Sequence, residues 1–156
     1  MDELKKTIRP SRNERYTAIA KEVARGSTCL RAMVGAVIVK DDVVVSMGYV
    51  GSARGEENCC DTGICERTRL NIPAGQNYEL CKSVHAEVNA VINAARTGSN
   101  VLGGTMYLYI ERLDGQRKFH KGMCIMCIRV LKNAGIKTIL YKEVAGGESI
   151  SDTILL

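Results

Sequence analysis

Two stretches far apart in this chain constrain it most: Ser83 to Thr97, reading SVHAEVNAVINAART, and the MCIMC run that carries Cys124 and Cys127. The first sets a metal-ligand residue, His85, and a carboxylate, Glu87, at the mouth of an amphipathic helix. Val84, Val88, Val91, Ile92 and Ala95 recur there with the spacing of one helical face. The second stretch sets two thiols on one side of a second helix. Three neutral or soft ligands plus one carboxylate that need not touch the metal are what a catalytic zinc requires. A structural zinc usually takes four protein ligands, whereas a hydrolytic zinc keeps its fourth position for water and lowers that water's pKa toward neutrality. Helical side chains tilt toward the N-terminus, so His85 and Glu87 can both reach a metal just beyond the helix end. A helix start beneath Cys124 and Cys127 favours the thiolate that zinc binds. The chain must therefore fold so that two helix starts face one another.

The remaining pattern supplies a sheet to hold those helices. Asn13 to Arg25 reads as a packing helix, with Tyr16, Ile19, Ala20 and Val23 on one face and Gly26 as its stop. Val34 to Val39 (VGAVIV) is an apolar, β-branched run suited to a strand covered on both faces. Lys40, Asp41 and Asp42 make a turn into a second strand, Val43 to Tyr49. Thr105 to Ile110 and Lys137 to Tyr141 read as later strands, each following a helix, and Gly135 caps the cysteine helix. The polar stretch Glu111 to Gly122 reads as a loop. Strands alternating with helices predict a layered α/β domain whose later strands are parallel, with ligands bound beyond strand ends beside helix starts. Residues 1–156 read as a single domain, and the apolar end of the tail, ILL, suits a docking strand or an oligomer contact.

Two segments carry further candidates. GYVGSARG, Gly48 to Gly55, is a glycine-spaced loop whose backbone N–H groups could approach a phosphate, with Arg54 as its charged member. It lacks the Lys-Ser/Thr ending of a P-loop, and as an ordinary turn it would need no function. Residues 59–81 form a cysteine-containing insertion, either a second metal clip built on Cys59, Cys65 and Cys81 or a lid whose thiols do nothing.

Composition narrows the partners. A net charge of +5 admits an anionic ligand, while six Tyr, one Phe and no Trp offer few stacking platforms, which favours a small molecule over single-stranded nucleic acid. MDELKKTIRP lacks the apolar core of a signal peptide, and no run of about eighteen apolar residues exists. A cytoplasmic protein without a membrane anchor is expected. Seven cysteines, an odd number, point to metal and reduced thiols over disulfides.

With these residues in place, the chain resembles the cytidine/deoxycytidylate deaminase superfamily, whose signature is H-x-E with a later P-C-x-x-C. CLRAMVGAVIVKDDVVVSMGYVGSARG, CKSVHAEVNA and CIRVLKNAGIKTILY are similar to the deoxycytidylate deaminase branch, and the resemblance spans roughly residues 15 to 141. It implies a three-layer α/β/α fold with a mixed central sheet, and one catalytic zinc on His85, Cys124 and Cys127. It also implies Glu87 as proton shuttle, the backbone N–H of Ala86 on the pyrimidine carbonyl, and dCMP as substrate with dUMP and ammonia as products. Arg31, Arg54 and the Gly48 to Gly51 loop are the candidates near sugar and phosphate. Members are commonly homo-oligomers, often hexamers, and several respond to dCTP and dTTP. Met123 stands where the superfamily usually has Pro, and Val50 where the branch typically has Asn.

Two other readings compete: deamination of another cytosine nucleotide or of a base within tRNA or single-stranded DNA, and a catalytically silent, zinc-stabilised nucleotide-binding subunit. Glu87 weighs against the silent subunit, because a structural zinc has no need of that carboxylate.

Overall fold

The computed structural model describes residues 9–113 and 123–156. The loop expected over Glu111 to Gly122 lies mostly outside them. Helix α1 (Arg12–Ala24) starts at a capping box: the Ser11 side chain accepts from the Glu14 N–H while the Glu14 carboxylate accepts from the Ser11 N–H. Strand β1 (Ala32–Lys40) turns into β2 (Val43–Tyr49) through Asp41 and Asp42, both at positive φ (51° and 60°). That conformation matches the twist of a two-residue hairpin and suits Asp better than a β-branched residue. Asp42 is also latched to α1, accepting from the Tyr16 hydroxyl and from Arg12 Nε, each at 2.8 Å.

Two short strands, β3 (Gly51–Ser52) and β4 (Ser83–Val84), pair with each other and bracket residues 53–82. Between them run α2 (Cys59–Thr62), α3 (Glu66–Arg69) and a turn of 3-10 helix at Tyr78–Leu80. Helix α4 (Ala86–Thr97) follows β4 directly and stops at Gly98, whose φ of 71° closes a left-handed cap. The chain continues through β5 (Thr105–Arg112), α5 (Ile125–Asn133), β6 (Thr138–Ala145) and β7 (Glu148–Leu155).

The main sheet runs β2-β1-β5-β6-β7, with β5 and β6 parallel and the other neighbours antiparallel. The hairpin and the parallel later pair are as expected. The tail of the chain is the edge strand β7, held to β6 through the turn at Gly146 and Gly147. Alternation along β1 divides the core into two layers. Val37 and Val39 face Tyr16, Ala20 and Ala24 of α1, whereas Ala36 and Ile38 face Ala86 and Ala90 of α4 and Leu131 of α5. This is the three-layer α/β/α arrangement, and it sets α4 and α5 side by side on one face. Among the described residues no helix is long and apolar enough to cross a membrane.

Candidate active site

His85 is the N-cap of α4 and Cys124 the N-cap of α5, one position earlier in each helix than a first-turn placement. Glu87 and Cys127 occupy the first turns behind them, so the two helix starts converge. His85 Nδ1 lies 3.1 Å from Cys127 Sγ, and the ligand atoms of His85, Cys124 and Cys127 all fall within 4.8 Å of one another. Among the described residues no other group of three metal-ligating side chains draws so close. Glu87 is buried at 6% exposure and Cys127 at 2%. Burial first, and then the charges of Glu87 and Cys124, push the Cys127 thiol far up. A divalent cation among these groups reverses that balance, because a coordinating thiol gives up its proton outright. One imidazole and two thiolates with a fourth direction open match the soft, tetrahedral preference of zinc. The residues fit the metal.

Why α4 begins where it does is visible at β2. Gly48 packs so closely beneath the helix that a Cβ there would run into the backbone nitrogen of Ala90 and lie 2.7 Å from the carbonyl oxygen of Ala86. The contact is fixed by polar groups: Ser46 donates to the Ala90 carbonyl at 2.6 Å, and Asn89 and Asn93 donate to the carbonyls of Tyr49 and Met47, each at 2.8 Å. β2 is an edge strand, and these amides cover its unpaired acceptors. Helix α4 thus rests backbone to backbone on the sheet, with His85 and Glu87 held at its leading end.

The cleft in front of these residues has a volume of about 560 Å³, within the range of small-molecule sites. Ala86, Val50 and Met123 line it together with Arg31. Gly48 and Gly51 are not on its wall. Gly48 is required under α4, and a Cβ on Gly51 would meet Thr28 Oγ1 at 2.8 Å, so close packing accounts for both glycines. Arg54 lies outside the cleft as well, donating to Asn93 Oδ1 at 2.9 Å on the flank of α4.

Cys59, Cys65 and Cys81 do line the cleft, joined by Cys29, which sequence reasoning did not select. All seven cysteines are free. The thiols of the insertion are not drawn together to the spacing of the His85 group, and their environments differ. Burial raises Cys59. At Cys65 burial acts in the same direction, but the hydroxyl and N–H of Thr68, the N–H of Arg67 and the charge of Arg31 outweigh it and hold the thiol below its ordinary range.

Three further residues were missed. Arg67 is 6% exposed and its guanidinium donates to the carbonyls of Pro73, Gln76 and Asn77 at 2.7 to 3.1 Å. It also lies 4.9 Å from the centroid of the Tyr78 ring, which meets the His85 ring edge-on at 5.6 Å. No motif announces such a knot, since its acceptors are main-chain atoms. Arg112 is the third, set on the cleft wall by β5.

A layered α/β/α chain with two helix starts presenting an imidazole, two thiols and a buried carboxylate is a zinc-binding protein of the hydrolytic kind. A family model described as the cytidine and deoxycytidylate deaminase zinc-binding region matches residues 10–143. The chain belongs to the cytidine and deoxycytidylate deaminase family. The deoxycytidylate deaminase of Schizosaccharomyces pombe is 30% identical over 134 residues, which are 86% of this chain but 38% of that protein. The deoxycytidylate deaminase of Enterobacteria phage T4 is 30% identical over 80% of this chain and 74% of its own length. That of Mycobacterium phage D29 is 32% identical over 86% of this chain and 97% of its own. In three dimensions the chain is similar to the dCMP deaminase of cyanophage S-TIM5, with a TM-score of 0.62 at 23% identity, covering 90% of this chain and 89% of the other. The same phage enzyme in complex with dCMP and dUMP also gives 0.62, at 22% identity.

Proposed function

We propose that this chain deaminates dCMP hydrolytically to dUMP and ammonia. The observation that carries the reading is the buried Glu87 carboxylate one residue beyond Ala86 and two beyond His85, opening on the same cleft as the donor set. Zinc held by His85, Cys124 and Cys127 supplies the Lewis acidity that makes water a nucleophile near neutral pH. Glu87 takes the proton that water loses and returns protons to N3 and to the departing amino group as C4 exchanges nitrogen for oxygen. It must act as base and then as acid, which needs one carboxyl within reach of both water and ring. Ala86 is fully buried at the first position of α4, where a backbone N–H has no partner within the helix, so it is free to donate to the pyrimidine carbonyl.

The test is ammonia release from zinc-loaded protein offered dCMP, cytidine, dCTP and a cytosine-containing oligonucleotide. Selective turnover of dCMP is expected. Glu87→Gln should retain zinc and lose about 10²- to 10⁴-fold in turnover. Retained zinc with undiminished turnover would overturn the role of Glu87, and failure of every substrate would favour the silent subunit.

The same reading extends to a single domain in a cytoplasmic homo-oligomer, a hexamer by family resemblance, with dCTP and dTTP as effectors. Exposed Met47 and Tyr49 on β2 support an intersubunit contact. Light scattering with and without each nucleotide tests both points. For the insertion we retain a second, structural zinc on Cys59, Cys65 and Cys81 as a proposal. Metal content near two per chain supports it, and a value near one removes it.

A further inference from the structure

We propose that Arg112, held in place by the buried carboxylate of Glu143, is the residue that selects a phosphorylated substrate over the corresponding nucleoside. The inference rests on the deaminase reading of the cleft and goes beyond it by naming the group that reads the phosphate. Arg112 ends β5, and Glu143 lies on β6, its parallel neighbour. Parallel strand ends are where ligands of α/β sheets bind. Arg112 Nε donates to Glu143 Oε1 at 2.8 Å. The carboxylate side chain is 1% exposed and the arginine side chain 24%. One end of the pair is therefore sealed in the core while the other belongs to the cleft wall.

Strand tying alone does not account for this pair. A buried ion pair contributes little net stability, since desolvation offsets the attraction, and apolar residues of similar volume serve a sheet as well. What the pair does supply is orientation. A guanidinium is a planar fork of five N–H donors, and fixing it through Nε presets the plane of the rest. A phosphate monoester is the ligand such a fork recognises, through parallel charge-assisted bonds.

The surroundings agree in sign. Arg31 lies beside Arg112: Ala32 is in register with Arg112, and the Leu113 N–H donates to the Arg31 carbonyl at 2.9 Å. Lys82 and Arg67 also line the cleft, against Glu66 and the Glu87 of the catalytic side. The cleft is cationic on balance. Val50 on the same wall presents no side-chain donor, so the discrimination falls on the charged groups.

The paired substitution Arg112→Met with Glu143→Gln removes both charges together and avoids leaving a buried carboxylate without its partner. Arg112→Lys, a second variant, keeps the charge and loses the fork. The readout is the ratio of kcat/KM for dCMP to that for deoxycytidine, alongside calorimetric Kd values for dUMP and deoxyuridine. The ratio should fall about 30-fold in the paired variant and by less in Arg112→Lys, with dUMP binding weakened in step. Equal losses on nucleotide and nucleoside would assign the pair to structure alone and overturn the proposal. If the unsubstituted protein turns over neither compound, the deaminase reading fails separately, while the dUMP and deoxyuridine affinities still decide the role of Arg112. Equal affinity for those two in the unsubstituted protein would also overturn it.

Discussion

The two walls of the cleft are built in different ways. One wall consists of the starts of α4 and α5, resting on a five-stranded sheet, with Glu87, Ala86 and Cys127 buried and the α4 backbone pressed onto Gly48. The other consists of residues 59–81, two four-residue helices and a 3-10 turn that bury few apolar side chains and are tied by Arg67 to main-chain carbonyls. A reacting group held by the core can move only if the core moves. A wall held by a local knot can change shape at small cost, which suits it to contacts that vary with the ligand.

Gly48→Ala is the most severe way to break this contrast. The new methyl has nowhere to go but into the backbone of α4, so the helix must lift and carry His85 and Glu87 with it. A stability loss of about 2–3 kcal/mol is expected, seen as a fall of about 4–12 °C in Tm. Displacing a general base by about an ångström should also cost about 100-fold in kcat. An unchanged Tm and kcat would show that α4 does not depend on the close approach.

Arg67→Met should act on the other wall and act differently. Three carbonyl acceptors lose a charged donor, and Tyr78 loses the cation behind its ring. Each such bond is worth about 1–3 kcal/mol, but the loss is confined to a segment that can open locally. A rise in KM of about tenfold with kcat changed less than threefold is expected, a magnitude that corresponds to about 1.4 kcal/mol of binding. A fall in kcat equal to that of Gly48→Ala would mean that the two walls are one mechanical unit, coupled through Tyr78 and His85.

The contrast also explains what could be read in advance. The sheet-backed wall announces itself only in part: the VGAVIV run and the two ligand motifs follow from side-chain spacing, but the face of α4 that packs on the sheet is Ala86, Ala90 and Ala94. Of the expected stripe of Val84, Val88, Val91, Ile92 and Ala95, Ile92 is 42% exposed and Val84 lies in β4, because the close approach over Gly48 admits only small side chains. The glycine loop was ambiguous because a glycine needed for close helix packing and one needed for a phosphate are the same residue, and what the structure adds is the position of Ala90 above Gly48. Arg112 and Glu143 were illegible for another reason. Their meeting depends on which strands are neighbours and in what register, and nothing local records that β5 lies beside β6. The edge strand β7 was ambiguous on the same ground, as its alternation fits a docking strand within this sheet or against another subunit. The knot at Arg67 joins a side chain to carbonyls, which every residue has, so composition cannot mark it.

An effect no larger than that of Arg67→Met gives the most direct comparison of the walls, because it reads one thiol from each. In metal-free protein, burial keeps the Cys127 thiol protonated, whereas N–H and hydroxyl donors around Cys65 favour its thiolate. Only the thiolate is alkylated, so at pH 7 iodoacetamide should label Cys65 about tenfold faster than Cys127. Lowering the pH slows labelling by protonating the sulfur, and the midpoint for Cys65 should fall below that of an ordinary cysteine. Peptide mapping over a pH series checks both statements, and a Cys127 midpoint at or below that of Cys65 would refute the assignment of environments. Repeating the series with zinc sharpens the result. Cys127 should then be protected completely. Protection of Cys65 that a chelator removes would place a second metal in the insertion, while unaltered labelling of Cys65 would leave that wall held by hydrogen bonds alone.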